Sequence, residues 1–176
     1  MSENRQYDKY NIYEECIPRS LTRSLITMGE YEFLYESSLE HYTAEAFTLR
    51  CFDDRFWKAF KNFLKQKGMK HIDPESVAGG VKILATPEKE SDRDFMLRDI
   101  EKSIRLHHTK KIMLFPHHAC GAYGGFEAFG NDREEEFCRH KEEHQRAHEV
   151  IKNHPGFQNL TIESYFIDEK GVRRMM

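Results

Sequence analysis

Cys51, His117 and Cys120 are the residues whose types and spacing promise chemistry. Cys51 opens the segment CFDDR (Cys51–Arg55), and the other two bracket HHAC (His117–Cys120). Two thiolates and one imidazole are ligands that zinc takes readily. Three protein ligands leave a fourth position for water, the pattern of a catalytic rather than a structural site. Zinc can lower the pKa of such a water to about 7 and so supply hydroxide at neutral pH. Asp53 and Arg55 follow Cys51 closely. A carboxylate near the open position could accept a hydrogen bond from the hydroxide, and Arg55 could hold it by a charge-assisted pair. Asp53 has two other readings: a helix N-cap, or a fourth metal ligand that displaces water and silences the site. Gly121 lacks a side chain and would let metal or substrate approach the backbone.

Both ligand segments follow apolar stretches, so strands must deliver them. Ala44–Cys51 reads as a short, partly buried strand. Phe56, Phe60, Phe63 and Leu64 then recur at helical spacing, with Asp53 and Asp54 at the positive end and Gly68 as a stop. Val77–Thr86 reads as a second strand with a glycine turn at its start or inside it. Ser91–His107 predicts a helix, Lys110–His118 a third strand, Asn131–Asn153 a long polar helix and Asn159–Asp168 a fourth strand. The charged tail KGVRRMM closes the chain. Strands alternating with helices predict an α/β fold: a mainly parallel central sheet of four to five strands flanked by helices. Sites in such sheets lie beyond the carboxyl ends of strands, where both ligand segments fall.

CFDDR resembles the Cys-x-Asp-x-Arg motif of the β-class carbonic anhydrases, and HHACGA resembles their His-x-x-Cys-Gly motif. VAGG, between them, is similar to the Ala-Gly turn of that family. The stretch from AGGVKIL through LHHTKKIMLFPHHACGAYGG is most similar to a divergent branch, and the resemblance spans Ala44 to Gly125. It implies Cys51, His117 and Cys120 as Zn2+ ligands and Asp53 with Arg55 as an orienting dyad. Gly121, Gly79 and His118 then stand nearest the substrate. It implies reversible hydration of carbon dioxide to bicarbonate through zinc-bound hydroxide. It also implies a homodimer or higher homo-oligomer, in which a helical N-terminal arm, residues 1–42, packs on the partner and residues 43–176 form the zinc domain. The chain departs from better-known members at Ser76-Val77, Gly80 and His118, and from the divergent branch at Ala119, all around the pocket. Those departures keep two alternatives open: a zinc hydrolase of carbonyl sulfide or carbon disulfide, and a non-catalytic zinc protein of the same fold.

Other residues carry plainer expectations. His118 could shuttle protons or lie beside the site without touching the chemistry. His107 and His108 suit a helix carboxyl end. His140, His144 and His148 share one face of the last helix but lack the glutamate of HExxH, which suits packing or an interface. Arg133–Glu136 reads as the solvated first turn of that helix. Cys16 and Cys138 read as plain thiols. Phe56, Trp57, Phe60 and Phe63 suit core or dimer surface, and Tyr123 and Phe126 line the pocket or pack under it. The formal net charge of -3 gives no basic field for nucleic acid. The polar start MSENRQYDKY shows no apolar leader, and no apolar run approaches the ~18 residues of a membrane span. The expected location is cytoplasmic.

Overall fold

The computed structural model describes residues 32–33 and 35–176. The chain divides into two units, Met1–Glu40 and His41–Met176. Residues 32–33 and 35–40 of the first carry no helix or strand. The expected helical arm and Cys16 lie almost wholly, or entirely, outside the described residues.

In the second unit, β1 (Ala46–Arg50) leads through a 3-10 turn into α1 (Trp57–Gln66). β2 (Ile72–Ser76), the short α2 (Lys82–Ala85), α3 (Glu90–His107) and β3 (Lys111–Phe115) follow. Two further 3-10 turns precede α4 (Arg133–Asn153), β4 (Thr161–Asp168) and β5 (Gly171–Arg174). The sheet order is β2-β1-β3-β4-β5; the first four strands are parallel and β5 runs antiparallel to β4. The mainly parallel flanked sheet is therefore present, with five strands. No helix among the described residues is long and apolar enough to cross a membrane.

Alternation along the strands builds two cores. Phe47, Leu49, Ile112 and Leu114 face one side and meet Leu84, Met96, Ile100, Ala147 and Ile151 from α2, α3 and α4. Ala46, Met113, Phe115, Tyr165 and Ile167 face the other and meet Phe60 and Leu64 of α1. Successive side chains of a strand point to opposite faces, so helices on both sides leave β1 and β3 buried except at half-buried Arg50 and Lys111.

Two expectations are corrected. The second strand is Ile72–Ser76, one segment earlier than Val77–Thr86. Val77–Thr86 instead makes a turn, with Gly79 at φ 71° and Gly80 at φ 54°, and then α2. Its apolar run serves a helical turn that buries Val81 and Leu84 three residues apart. The real β2 is polar and holds Pro74. The Val77 N–H donates to the Arg50 carbonyl, and the His71 carbonyl accepts from the Glu45 N–H. Odd-numbered residues of β2 thus face β1, and the Pro74 nitrogen, which has no hydrogen to donate, faces away. The tail is also a strand: Asp168 Oδ1 accepts the N–H groups of Lys170 and Gly171 and closes a hairpin into β5.

On α4, His140 and His144 are buried and His148 is half-buried. His144 Nδ1 lies 2.8 Å and His148 Nε2 3.0 Å from Ser164 Oγ, while neither ring nitrogen of His140 has a partner among the described residues. The face packs, as expected. Burial pushes both His140 and His148 down to about 4 and His144 well below its ordinary range. Between the unfolded value near ~6.5 and those folded values, the unfolded chain binds protons that the folded chain refuses. Stability is expected to fall as the pH drops from 6.5 towards 4, with His140 alone contributing a slope of up to about 1.4 kcal/mol per pH unit. Urea midpoints across that window test this; His140→Leu should flatten the profile, and an unchanged slope in that variant would count against it.

Candidate metal centre

β1 and β3 are neighbours in the sheet, so Cys51 and the His117 loop emerge side by side at its carboxyl edge. β4 runs on past β3 and holds the loop. The His118 N–H donates to the Ile167 carbonyl at 2.8 Å, and the Ile167 N–H to the Pro116 carbonyl at 3.0 Å. Cys51, His117 and Cys120 are all buried, and their donor atoms lie within 4.8 Å of one another.

The donors are prepared for a cation. His117 Nδ1 lies 2.9 Å from the His118 carbonyl. A carbonyl only accepts, so Nδ1 carries the proton and Nε2 keeps its lone pair. That Nε2 is buried and, among the described residues, has no hydrogen-bond partner. The two sulfurs are 3.9 Å apart. The Cys51 thiol is held well below its ordinary range, chiefly by the hydrogen bond it accepts from Cys120, with the backbone N–H groups of Asp53 and Gly79 helping. Cys120 is pushed up by the same Cys51 bond and by burial. A divalent cation would favour both as thiolates. A set of two sulfurs and one lone-pair nitrogen, buried and convergent, fits zinc.

Asp53 and Arg55 are also together. Arg55 Nε donates to both Asp53 oxygens at 3.0 Å, and Nη2 to Oδ2 at 2.6 Å. Arg55 is the main cause that holds the Asp53 carboxyl down to about 2. Asp53 Oδ1 also accepts the Arg55 N–H at 3.0 Å, so one side chain caps the 3-10 turn and binds the guanidinium. Asp53 Oδ2 lies 3.8 Å from His117 Nε2, at the edge of the ligand cluster.

The Gly79-Gly80 turn packs directly on both ligand segments. A Cβ at Gly79 would sit 3.0 Å from the Ala122 side chain, and one at Gly80 3.0 Å from the backbone of Arg50 and Cys51. Both positions also have positive φ, so glycine is required twice over. Gly121 differs: a Cβ there would meet nothing within 4 Å, which leaves open space beside Cys120. His118 is turned towards α4, with Nδ1 2.5 Å from Glu136 Oε2 and its ring edge-on to Phe126. Tyr123 lies edge-on to His140. Beside His117, Phe56, Phe60, Phe115 and Ile167 share the lining of a void of about 10 Å³ with Arg50, Cys51 and Asp53. A larger hollow of about 360 Å³ adjoins Val77, Ala78, Lys82 and Ala122 and includes none of the three ligands.

Two residues escape sequence reasoning. Arg50, at the end of β1, donates to the Cys51 carbonyl at 2.7 Å and lies 4.5 Å over the Trp57 ring. A cation closing an apolar strand was the available signal. Glu136 belongs to the run expected to be solvated, yet it is 1% exposed. That expectation is corrected, since the first turn of α4 packs this side chain against the HHAC loop.

The family described as "Putative carbonic anhydrase" matches residues 42–175. No curated protein matches. Among solved structures, β-carbonic anhydrase isoform I (TvaCA1) of Trichomonas vaginalis is similar with a TM-score of 0.55 at 16% identity, over 85% of this chain and 91% of that one. The β-carbonic anhydrase CafA of Aspergillus fumigatus is similar with a TM-score of 0.50 at 14% identity, over 76% of each chain. At such identities the likeness concerns the fold.

Proposed function

The chain belongs to this carbonic anhydrase family, and from that premise we propose that it hydrates carbon dioxide reversibly to bicarbonate with Zn2+ held by Cys51, His117 and Cys120. The observation that carries the reading is the convergence of those three buried donors with the Asp53–Arg55 pair at their edge. A zinc ion in this donor set would supply a hydroxide nucleophile at neutral pH. Asp53, ionised and gripped by Arg55, accepts the hydrogen bond that orients the attacking oxygen. Both Asp53 oxygens are engaged by Arg55, which supports the open arrangement over one in which Asp53 is a ligand. Within that lining, the apolar rings of Phe56, Phe60 and Phe115 suit an uncharged, very small substrate. Water and carbon dioxide give bicarbonate and one proton, and the proton leaves to solvent. A homo-oligomer, tested by light scattering, and a cytoplasmic location, tested by fractionation, go with the same reading.

Stopped-flow hydration of carbon dioxide by the zinc-loaded protein tests it. Turnover is expected at neutral to alkaline pH, with a fall of about 10²-fold in Asp53→Ala at unchanged zinc content. Zinc bound with no turnover would reject carbon dioxide as substrate and move the search to sulfur analogues or to a binding role.

A further inference from the structure

Glu136 is a fully covered carboxylate in an acidic run, and such a group stays buried only where its oxygens are occupied. Oε1 accepts the Ala119 N–H at 2.6 Å, and Oε2 lies 2.5 Å from His118 Nδ1. The Ala119 N–H belongs to the peptide group that joins His118 to Ala119. The carbonyl of that same peptide receives Nδ1 of His117 at 2.9 Å. One amide therefore links the Glu136 carboxylate at its N–H end to the His117 imidazole at its C=O end. Hydrogen bonds in series polarise one another, so the carboxylate pushes electron density through the amide towards the ligand ring. Metal-binding histidines commonly donate their second N–H to a carboxylate or a carbonyl; here a carbonyl accepts it, with a carboxylate behind that carbonyl.

The next peptide is pinned from the other direction. The Ala119 carbonyl accepts from Arg55 Nη2 at 3.1 Å, and the same nitrogen holds Asp53. Ala119 itself is left-handed at φ 53°, a conformation disfavoured for a residue with a Cβ. The loop keeps it because both flanking peptides are tied.

Resting on the reading of this site as a zinc centre, we propose that Glu136 is a positioning residue for the metal: through the His118–Ala119 peptide it orients His117 and raises its strength as a ligand. The readout is metal binding, independent of turnover. Chelator competition should show zinc affinity falling about 10- to 100-fold in Glu136→Ala and by less in Glu136→Gln, which keeps one acceptor for the Ala119 N–H. The cobalt(II)-substituted proteins should show shifted ligand-field bands in the same order. A role confined to packing α4 would lower the melting temperature and leave affinity and spectrum untouched. If Glu136→Ala does not fold, Glu136→Gln carries the comparison. Wild-type affinity and an unshifted spectrum in a folded variant overturn the proposal alone. Failure of the wild-type protein to hold zinc overturns it together with the site on which it rests.

Discussion

Under the proposed function, Cys120→Ser is expected to strip the protein of zinc on dialysis and to reduce carbon dioxide hydration to background. Cys120 is 1% exposed and supplies one of three convergent donors. Serine keeps the size, but its hydroxyl does not ionise near neutral pH, so a thiolate bond is lost with no anion to replace it. Tetrahedral zinc sites bind with about 10–16 kcal/mol in all, so removing one strong ligand takes several kcal/mol, or more than about 10³-fold in affinity. Metal analysis after dialysis reads this directly. Cys138→Ser is the control, because Cys138 is exposed and lies outside the cluster. Full zinc stoichiometry in Cys120→Ser would remove Cys120 from the ligand set.

The largest expected loss of stability is that of Phe115→Ala. Phe115 ends β3 two residues before His117 and is 1% exposed. Its ring meets Phe60 edge-on at 4.9 Å and stacks on Tyr165 at 5.5 Å. Truncation empties the centre of the core between the sheet and α1, where collapse is resisted by the three aromatic rings around it. Such changes lose about 3–5 kcal/mol, a large share of the 5–15 kcal/mol typical of a domain. The urea midpoint should drop accordingly with an unchanged slope. A loss under about 1 kcal/mol would mean that the ring is not packed as described.

What could be read in the sequence was what depends on local pattern. The period of Phe56, Phe60, Phe63 and Leu64 announced α1, and the apolar runs before Cys51 and His117 announced the two central strands. Neighbouring β1 and β3 then bring their carboxyl ends together, so spacing in two short motifs was enough to assemble a candidate site. What was hidden depends on partners far along the chain. β2 is polar because it is an edge strand with one wet side, and its pattern reads as a loop. VKIL reads as a strand until two left-handed glycines set it as a helical turn. Glu136 looks like any first-turn acid, and only the loop that folds over it turns it into a buried acceptor.

The proline in β2 bears on the fate of the chain at high concentration. Among the described residues, β1 is the one strand that pairs with β2, so no strand of theirs covers its outer edge. Such an edge invites strands from other molecules and seeds fibrillar aggregates. On this one the donors at Ile72 and Ser76 flank Pro74, which has none. A foreign strand would find the middle rung of the ladder missing, and the protein carries in its least conspicuous strand a built-in guard against self-templated precipitation.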